Sequence, residues 1–453
     1  MKRENNVMTT PIADFVKRYA ESDGVRLHMP GHKGKNFLGC EMFDITEIHG
    51  ADSLYEADGI IAESEMNATK IFGSARTLFS TEGSSQCIRA MLYLALLNKK
   101  NGSRPVVAAA RNVHKAFIYA ATLLDFDVIW LWPEENETSI CSCFVSKEQV
   151  ERVLNEHQEI SAVYLTSPDY LGGQADISAI AEVCHKHDAI LAIDNAHGAY
   201  LKFLQPSRHP LDLGADICCD SAHKTLPVLT GGAYLHISKN APSIFAEQAK
   251  YAMGLFGSTS PSYLIMTSLD LCNRYILEGY SETLQKVIRL RDELCKELEY
   301  AGWEVRVSDP LKITIEIPSG KSSDELTAIL RESGVECEYA DPDYLVFMLT
   351  PENTKEELAI ILNALGKNEH PYFPKEHLPV VQTQQVMTIR EAMFALPEKV
   401  SLDEAKGRIC RVPTVSCPPA IPIAVPGELI TQELISMFQY YGIMSLDVVK
   451  NKK

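Results

Sequence analysis

The sequence predicts an α/β protein in which a large domain contains a mainly parallel sheet. Four apolar runs with little polar alternation are separated by helical patterns, at residues 106–110, 128–132, 162–166 and 189–194. Strands of this kind are typical of a parallel sheet that helices cover on both faces. From residue 284 the pattern changes to one long amphipathic helix and then to a strand of alternating polarity, which indicates a second, smaller α/β domain.

The elements of the large domain follow one another at short intervals. Amphipathic helices are predicted at residues 11–20 and 60–72, before a strand that begins at Thr77. A turn of glycine and serine then opens an apolar helix, which we expect over residues 88–97. The last predicted elements are helices ending at Leu124, 157 and 187, and an apolar run at 215–219.

The small domain is predicted from helical periodicity and capping residues. Apolar side chains recur along one face between residues 284 and 298, and residues 313–317 alternate as a half-buried strand. Ser322 with Glu325, and Thr354 with Glu357, have the spacing of capping boxes, so each pair predicts the start of a helix. A further strand is expected between these helices, at residues 344–349.

A chain of 453 residues is too long for one hydrophobic core. We expect four parts: an N-terminal arm (1–60), the large domain (61–284), the small α/β domain (285–366), and a linker with a proline-rich C-terminal domain (367–453). The arm is long and polar, which is typical of a segment that wraps over a partner subunit. The prolines of the tail favour extended chain, which either edges a binding site or packs on the core.

Charge and composition narrow the class of protein. The net charge of -17 argues against a nucleic acid or an anionic membrane as partner. The polar N-terminus and the lack of an apolar run of transmembrane length predict no signal peptide, no membrane partner and a cytoplasmic location. The 12 cysteines include no C-x-x-C pair, so we expect reduced, mostly buried thiols and no metal site.

The stretch from Ser221 to Thr225 suggests cofactor chemistry. Lys224 follows an apolar strand and has a hydroxyl residue, Ser221, three positions before it. A lysine amine in this place suits a Schiff base with the aldehyde of pyridoxal 5′-phosphate (PLP), and the serine can reach the cofactor's phosphate. Alone, the motif also fits a surface lysine at the end of a strand, so its interpretation depends on the rest of the chain.

Other candidate cofactor ligands also follow strands. Asp194 suits a partner of the pyridine nitrogen, although an aspartate there also fits a helix cap or a metal ligand. Gly83-Ser84-Ser85 opens a helix, an arrangement that suits a phosphate as well as an ordinary cap. His114 suits a group that stacks on the cofactor ring, and His197 lies close to Asp194 in the sequence. Ligands bind beyond the carboxyl ends of parallel strands, so one site can gather these residues.

Seven stretches follow the order seen in one enzyme family. They are LHMPGHKG (27–34), TEGSS (81–85), RNVHK (111–115), DNAHG (194–198), SAHK (221–224), STSPSY (258–263), and PPAIP with PGE (418–422 and 426–428). Together they resemble the short form of the Orn/Lys/Arg decarboxylase class-I family, PLP enzymes of the aspartate aminotransferase fold (fold type I). The resemblance spans nearly the whole chain, which makes it far more specific than any single motif.

The resemblance assigns roles to the candidate residues. It implies that Lys224 forms the Schiff base, Asp194 pairs with the pyridinium, and His114 stacks on the ring. His197 is expected to contact the cofactor or the substrate because it lies close to Asp194 in the sequence. The remaining cofactor ligands that it implies are Ser84, Ser85, Ser221 and His223, and the turn itself adds Gly83 as a candidate.

The resemblance also implies a homodimer with active sites at its interface, where Ser258 or Thr259 reaches the phosphate of the other subunit. Two departures leave the substrate open. Many short members have Asp-Glu-Ala-His where this chain has Asp194-Asn195-Ala196-His197, and Thr230-Gly231-Gly232 replaces a more usual Gln-Gly.

The expected reaction is decarboxylation of lysine, arginine or ornithine to a polyamine-type amine and CO2, as in polyamine biosynthesis. The alternatives are another fold-type-I enzyme such as an aminotransferase, or a non-catalytic PLP-fold binding protein. Aminotransferases of this fold usually bind the substrate's α-carboxylate with an arginine on a small-domain strand, and no arginine occurs between Arg331 and Arg390. A basic substrate needs an acid for its distal cation. Asp52 and Glu428 are candidates, although each also fits a capping or surface acid.

Overall fold

The structure, a computed structural model, describes residues 8–98, 104–133, 139–306, 309–368, 378–413 and 419–451. Three sequence features lie at least partly outside these residues. They are the polar N-terminus (1–6), most of the predicted linker (369–375), and the start of the proline-rich motif at Pro418.

The described helices are α1 (Pro11–Ala20), α2 (Ile60–Phe72), α3 (Ser84–Leu96), α4 (Lys115–Leu124), α5 (Lys147–Glu156), α6 (Ile177–Lys186), α7 (Ala222–Thr225), α8 (Ser243–Leu255), α9 (Tyr263–Leu277), α10 (Tyr280–Tyr300), α11 (Ser323–Glu332), α12 (Lys355–Leu365), α13 (Ile389–Phe394), α14 (Leu402–Ala405) and α15 (Gln432–Tyr440). The described strands are β1 (Arg76–Ser80), β2 (Val106–Ala110), β3 (Asp127–Leu131), β4 (Ile160–Thr166), β5 (Ile190–Asp194), β6 (Ile217–Asp220), β7 (Ala233–Ile237), β8 (Glu304–Arg306), β9 (Lys312–Glu316), β10 (Tyr339–Ala340), β11 (Tyr344–Met348), β12 (Pro397–Ser401) and β13 (Ser445–Val449). No helix of the described ranges is both long and apolar enough to cross a membrane.

The first of two compact units combines Met1–Asn98 with Ile190–Thr283. Its strands lie in the order β1-β7-β6-β5. Strands β5 and β6 are parallel, while β7 runs antiparallel to β6 and β1. Every residue of β5, β6 and β7 is buried, and helix α3 packs against all three strands. The parallel pairing brings Asp194, at the end of β5, beside Cys219 of β6.

The second unit combines Lys99–Ala189 with Leu284–Lys453. Strands β4, β2 and β3 pair in parallel, as predicted for the large domain. Strands β8 to β11 form a four-stranded antiparallel sheet in the order β10-β11-β9-β8. Toward the C-terminus β12 pairs with β13, and their apolar side chains share a buried core with helix α15.

Two local predictions for the small domain are wrong. Strand β9 is buried along both faces and not half-buried, because the loop at 169–171 takes up its polar side chains. Lys312 Nζ donates to the Asp169 carbonyl at 2.7 Å, and Thr314 Oγ1 donates to the Leu171 carbonyl at 2.8 Å. Ser322 Oγ accepts from the N–H of Asp324 at 3.1 Å, a simple N-cap instead of a box with Glu325.

Other elements agree with or go beyond the sequence patterns. The capping box of Thr354 and Glu357 forms at the start of α12. The pairing of β12 with β13 and helix α15 were not predicted. These segments are too short for the polar and apolar residues to show the period of a strand or that of a helix clearly.

Candidate active site

Lys224 lies on a four-residue helix directly after strand β6. The strand ends at Asp220, Ser221 is the N-cap of α7, and the N–H of Lys224 donates to the Ser221 carbonyl at 3.0 Å. The side chain of Lys224 is half-buried, and its Nζ lies 2.6 Å from Nε2 of His197. The amine therefore stands at the carboxyl end of the strand, where ligands of such sheets bind.

Asp194 ends the parallel neighbouring strand, β5, where it pairs with Cys219 of β6. The side chain is buried, and its Oδ1 accepts from the N–H of Ala196 at 3.2 Å and from the thiol of Cys219 at 3.7 Å. These contacts hold the carboxylate between β5 and the strand that leads to Lys224. Three predicted residues, Lys224, Asp194 and His197, thus belong to one compact unit, in which Lys224 and His197 are in contact.

The predicted phosphate turn has the backbone geometry that an anion site needs. Gly83, the N-cap of α3, has a φ of 70°, a conformation that favours glycine, and a Cβ there would find nothing within 4 Å. Within the described chain, no protein acceptor is assigned to the N–H groups of Ser84 and Ser85. The first turn of a helix with open N–H groups attracts a phosphate.

The turn is connected to the loop after Lys224. The N–H of Gly83 donates to the Gly231 carbonyl at 2.7 Å. His223 donates to the Gly232 carbonyl from its N–H at 3.2 Å and from Nδ1 at 2.9 Å. The segment Thr230-Gly231-Gly232, which differs from the more usual Gln-Gly, is therefore hydrogen-bonded to two candidate cofactor ligands, Gly83 and His223.

Two other predicted residues lie in different surroundings. His114 belongs to the second compact unit, where its Nδ1 accepts from the N–H of Ala116 at 3.1 Å and so caps α4. Thr259 is exposed in the loop after α8, and the neighbouring N–H of Ser258 donates to Glu82 Oε1 in the phosphate turn. Stacking by His114 and a contact from Thr259 to another subunit stay predictions.

The two candidate acids for the substrate's distal cation both have protein partners. Asp52 accepts from the backbone N–H groups of Gly59 and Ile61, each at 2.9 Å, and so caps α2. Glu428 is 1% exposed, accepts from the N–H of Val425 at 2.7 Å, and lies 3.3 Å from Arg111 Nη2. A substrate contact by either carboxylate stays a prediction.

Sequence reasoning missed a buried polar cluster beside this site. Asp220 contacts His209, His236 and Asn195, and all four side chains are buried. The signal available in the sequence was a carboxylate at the end of an apolar strand, directly before the lysine motif.

Comparison with protein families decides the class. The family model for the Orn/Lys/Arg decarboxylase major domain matches residues 10–319, and the model for the C-terminal domain of the same family matches residues 372–447. The chain belongs to the Orn/Lys/Arg decarboxylase family. It is therefore a PLP-dependent decarboxylase of basic amino acids, which confirms the predicted enzyme class over an aminotransferase or a non-catalytic protein.

Individual relatives agree with this placement. The arginine decarboxylase of Bacillus subtilis (strain 168) is 30% identical over 94% of this chain and 92% of its own length. The arginine decarboxylase of Halalkalibacterium halodurans is 28% identical over 93% and 91%. The solved lysine decarboxylase LdcF of Francisella novicida has a TM-score of 0.80 at 18% identity, covering 98% of this chain and 81% of that one. The predicted fold type I is thereby confirmed.

The residues of the site fit the cofactor that the family uses. PLP presents an aldehyde, a pyridine nitrogen and a phosphate. The amine of Lys224, the buried carboxylate of Asp194 and the open helix start at Ser84 are groups of the matching chemistry.

Proposed function

We propose that this enzyme decarboxylates arginine, and that Lys224, His197 and Asp194 form the centre of its active site. The contact of 2.6 Å between Lys224 Nζ and His197 Nε2 carries the proposal, and the buried carboxylate of Asp194 ends the parallel neighbouring strand. Arginine is favoured over lysine and ornithine because relatives named arginine decarboxylase match more than nine-tenths of both chains.

Each part of the cofactor has a residue to hold it. PLP, when bound, supplies an electron sink for the bond that breaks at Cα of the amino acid. Lys224 would hold the aldehyde, Asp194 the pyridine nitrogen, and the N–H groups of Ser84 and Ser85 the phosphate. Ser221 and His223 would complete the phosphate and ring contacts, and His114 would stack on the ring.

The pair of Lys224 and His197 suits the proton transfers of the reaction. At 2.6 Å the amine and the imidazole share one hydrogen bond, so a proton can move between Nζ and Nε2. Loss of CO2 leaves Cα in need of a proton. The Lys224 ammonium can donate that proton, and His197 can restore it to the amine.

One strand of the small domain bears on the choice between decarboxylation and transamination. Strand β11 carries no arginine, and the cation on the adjoining strand, Lys312, lies opposite Met348. Its Nζ already donates to the Asp169 carbonyl and lies 3.3 Å from Asp309. An α-carboxylate without a bidentate partner in a dry site is destabilised, which favours its departure as CO2.

The decisive experiment compares substrates. Purified enzyme with PLP is incubated with arginine, lysine, ornithine and glutamate at equal concentration, and CO2 and the product amine are measured. The proposal expects kcat/KM for arginine to exceed that for lysine by at least about tenfold. A preference for lysine or ornithine would overturn only the assignment of arginine as the substrate. If no substrate released CO2, the proposed decarboxylation itself would be overturned.

The role of Lys224 has its own test. Lys224→Ala should abolish the visible absorption of bound PLP and all CO2 release, because the Schiff base needs the amine of this side chain. Lys186→Ala is the matched control, since that lysine forms an exposed ion pair with Glu151. A Lys224→Ala protein that keeps the visible band would contradict the assignment.

The homodimer is part of the same proposal. Thr259 is exposed, and the arm exposes large apolar side chains such as Leu27 at 89% and Leu38 at 88%, which a second copy would cover. Light scattering should give a dimer or a larger even assembly. If sites are shared, co-expressed Lys224→Ala and Thr259→Val chains should recover about a quarter of wild-type sites; no recovery would contradict sharing.

A further inference from the structure

A buried carboxylate lies at the end of the strand that leads to the active-site lysine. The side chain of Asp220 is fully buried, and its Oδ2 accepts from His209 Nε2 at 3.2 Å and from His236 Nε2 at 3.1 Å. Its Oδ1 accepts from Asn195 Nδ2 at 2.6 Å. Three N–H donors therefore surround one carboxylate in a region without water access.

The protonation of this cluster follows from its partners. Burial disfavours an anion, but the charges and hydrogen bonds of His209 and His236 hold the pKa of Asp220 well below its ordinary value. Burial also lowers the pKa of His236 despite the attraction of Asp220. The ring of His236 is held from both sides: Nε2 faces Asp220 Oδ2, and Nδ1 lies 2.9 Å from the hydroxyl oxygen of Thr77.

The cluster connects the two strand ends of the active site. Asp220 directly precedes Ser221, the N-cap of the helix that carries Lys224. Asn195 directly follows Asp194, and its own N–H donates to the Cys219 carbonyl at 3.0 Å. Asn195 therefore donates two hydrogen bonds to β6, one from its backbone N–H and one from its side-chain amide. The bond to Asp220 ties the position of Asp194 to the start of the lysine segment.

The amide of Asn195 is chemically suited to the carboxylate of Asp220, because it can donate a hydrogen bond to it. A glutamate at the position of Asn195 would bring a second carboxylate against Asp220 in a buried space. An amide instead supplies a donor. Room for it comes from Gly198, where a Cβ would lie 2.0 Å from Asn195 Oδ1.

We propose that Asp220 is a positioning residue for the cofactor: its carboxylate, fixed by His209 and His236, holds Asn195 and so sets Asp194 relative to Lys224. This role rests on the proposed function, because it concerns the same PLP site. It predicts that breaking the bond between Asn195 and Asp220 weakens cofactor binding even when the fold is intact.

A metal ion is the competing interpretation of this cluster. Ligand atoms of His209, Cys218 and Asp220 lie within 4.8 Å of one another, a spacing that a cation can bridge. The hydrogen-bond interpretation needs a proton on both Nε2 atoms, whereas a metal would replace them. Elemental analysis of the purified protein separates the two, and a stoichiometric metal that Asp220→Asn removes would overturn the positioning role.

The experiment measures the PLP dissociation constant of the apo protein by its visible absorption, together with thermal unfolding without cofactor. Asn195→Ala removes the amide that bonds Asp220 and leaves His209 and His236 in place, so it should raise the dissociation constant by about tenfold with a small change in apo stability. Asn195→Glu should weaken binding more, because two carboxylates then share the space. The reversed pair, Asn195→Glu with Asp220→Gln, keeps one anion and one amide and should return to within about threefold of wild type.

Asp216→Asn is the matched control. Asp216 is also buried and also bridges the two strands, since its Oδ2 accepts from the N–H of Leu191 at 2.8 Å, but it lies at the opposite end of the sheet. The control should lower apo stability and leave the dissociation constant unchanged.

The outcomes separate this role from the proposed function. Single variants that bind PLP like wild type, or a reversed pair no better than Asn195→Glu, would overturn the role of Asp220. A wild-type protein that binds PLP but releases no CO2 would contradict the proposed reaction and leave the binding results valid. A wild-type protein without a visible band would overturn both.

Discussion

Replacing Glu428 with glutamine should reveal whether this acid serves the fold or the substrate. Glu428 lies 3.3 Å from Arg111 Nη2 in a pair of which the arginine is 6% and the glutamate 1% exposed. Arg111 also donates to the carbonyls of Pro422 at 2.9 Å and Ile423 at 3.0 Å. Glutamine keeps the size of the side chain but removes the only anion that the structure pairs with this guanidinium in the described chain.

The expected cost is set by the buried arginine that remains. Breaking one partner of a buried ion pair typically costs about 3 to 5 kcal/mol, because the other charge stays desolvated. Two features reduce the loss: the amide oxygen of glutamine can still accept from Val425, and the guanidinium lies 5.3 Å from the ring centres of Trp130 and Trp132. We therefore expect Glu428→Gln to lower the free energy of unfolding by about 3 kcal/mol.

Urea unfolding followed by tryptophan fluorescence is the appropriate assay, since two of the three tryptophans contact Arg111. Glu398→Gln is the control, because its pair with Arg408 is 42% exposed on the acid side and should be worth less than about 1 kcal/mol. A Glu428→Gln enzyme that unfolds like wild type, with a KM for arginine raised tenfold or more, would refute this reasoning and support a substrate contact.

Three further predictions concern stability, each measured by urea unfolding. Burial raises the pKa of Asp270 to about 6, although hydrogen bonds such as the one from the N–H of Ala13 oppose this rise. Because the folded protein then holds the proton of Asp270 more tightly than the unfolded chain does, this group stabilises the fold most at low pH. Wild type should therefore lose up to about 3 kcal/mol relative to Asp270→Asn between pH 4 and 7, and a pH-independent difference would contradict this. Gly427→Ala should cost about 3 kcal/mol, because φ is 94° and a Cβ would lie 2.2 Å from the Met387 carbonyl; a neutral effect would show that this loop relaxes. Thr354→Ala should cost about 1 kcal/mol by removing the capping box of α12, and no loss would mean that water replaces it.

The local sequence predicted most of the secondary structure and supplied the candidate residues of the lysine site. Apolar runs located β2, β4 and β5, because a strand buried on both faces must be apolar along its length. The glycine of the phosphate turn and the capping pair at Thr354 were equally readable, since each acts on residues within four positions. Strand β9 was misjudged because polar partners in another loop buried its second face.

The sequence by itself determined where the strands end and that Lys224, Asp194 and the Gly83 turn follow them. Only the tertiary structure decided what the acids contact. Glu428 meets an arginine 317 positions away, and Asp220 meets Asn195, His209 and His236 from three separate segments. The physical reason is that helix and strand patterns report burial over a few neighbouring residues, whereas the partner of a buried charge is chosen by chain packing across the fold.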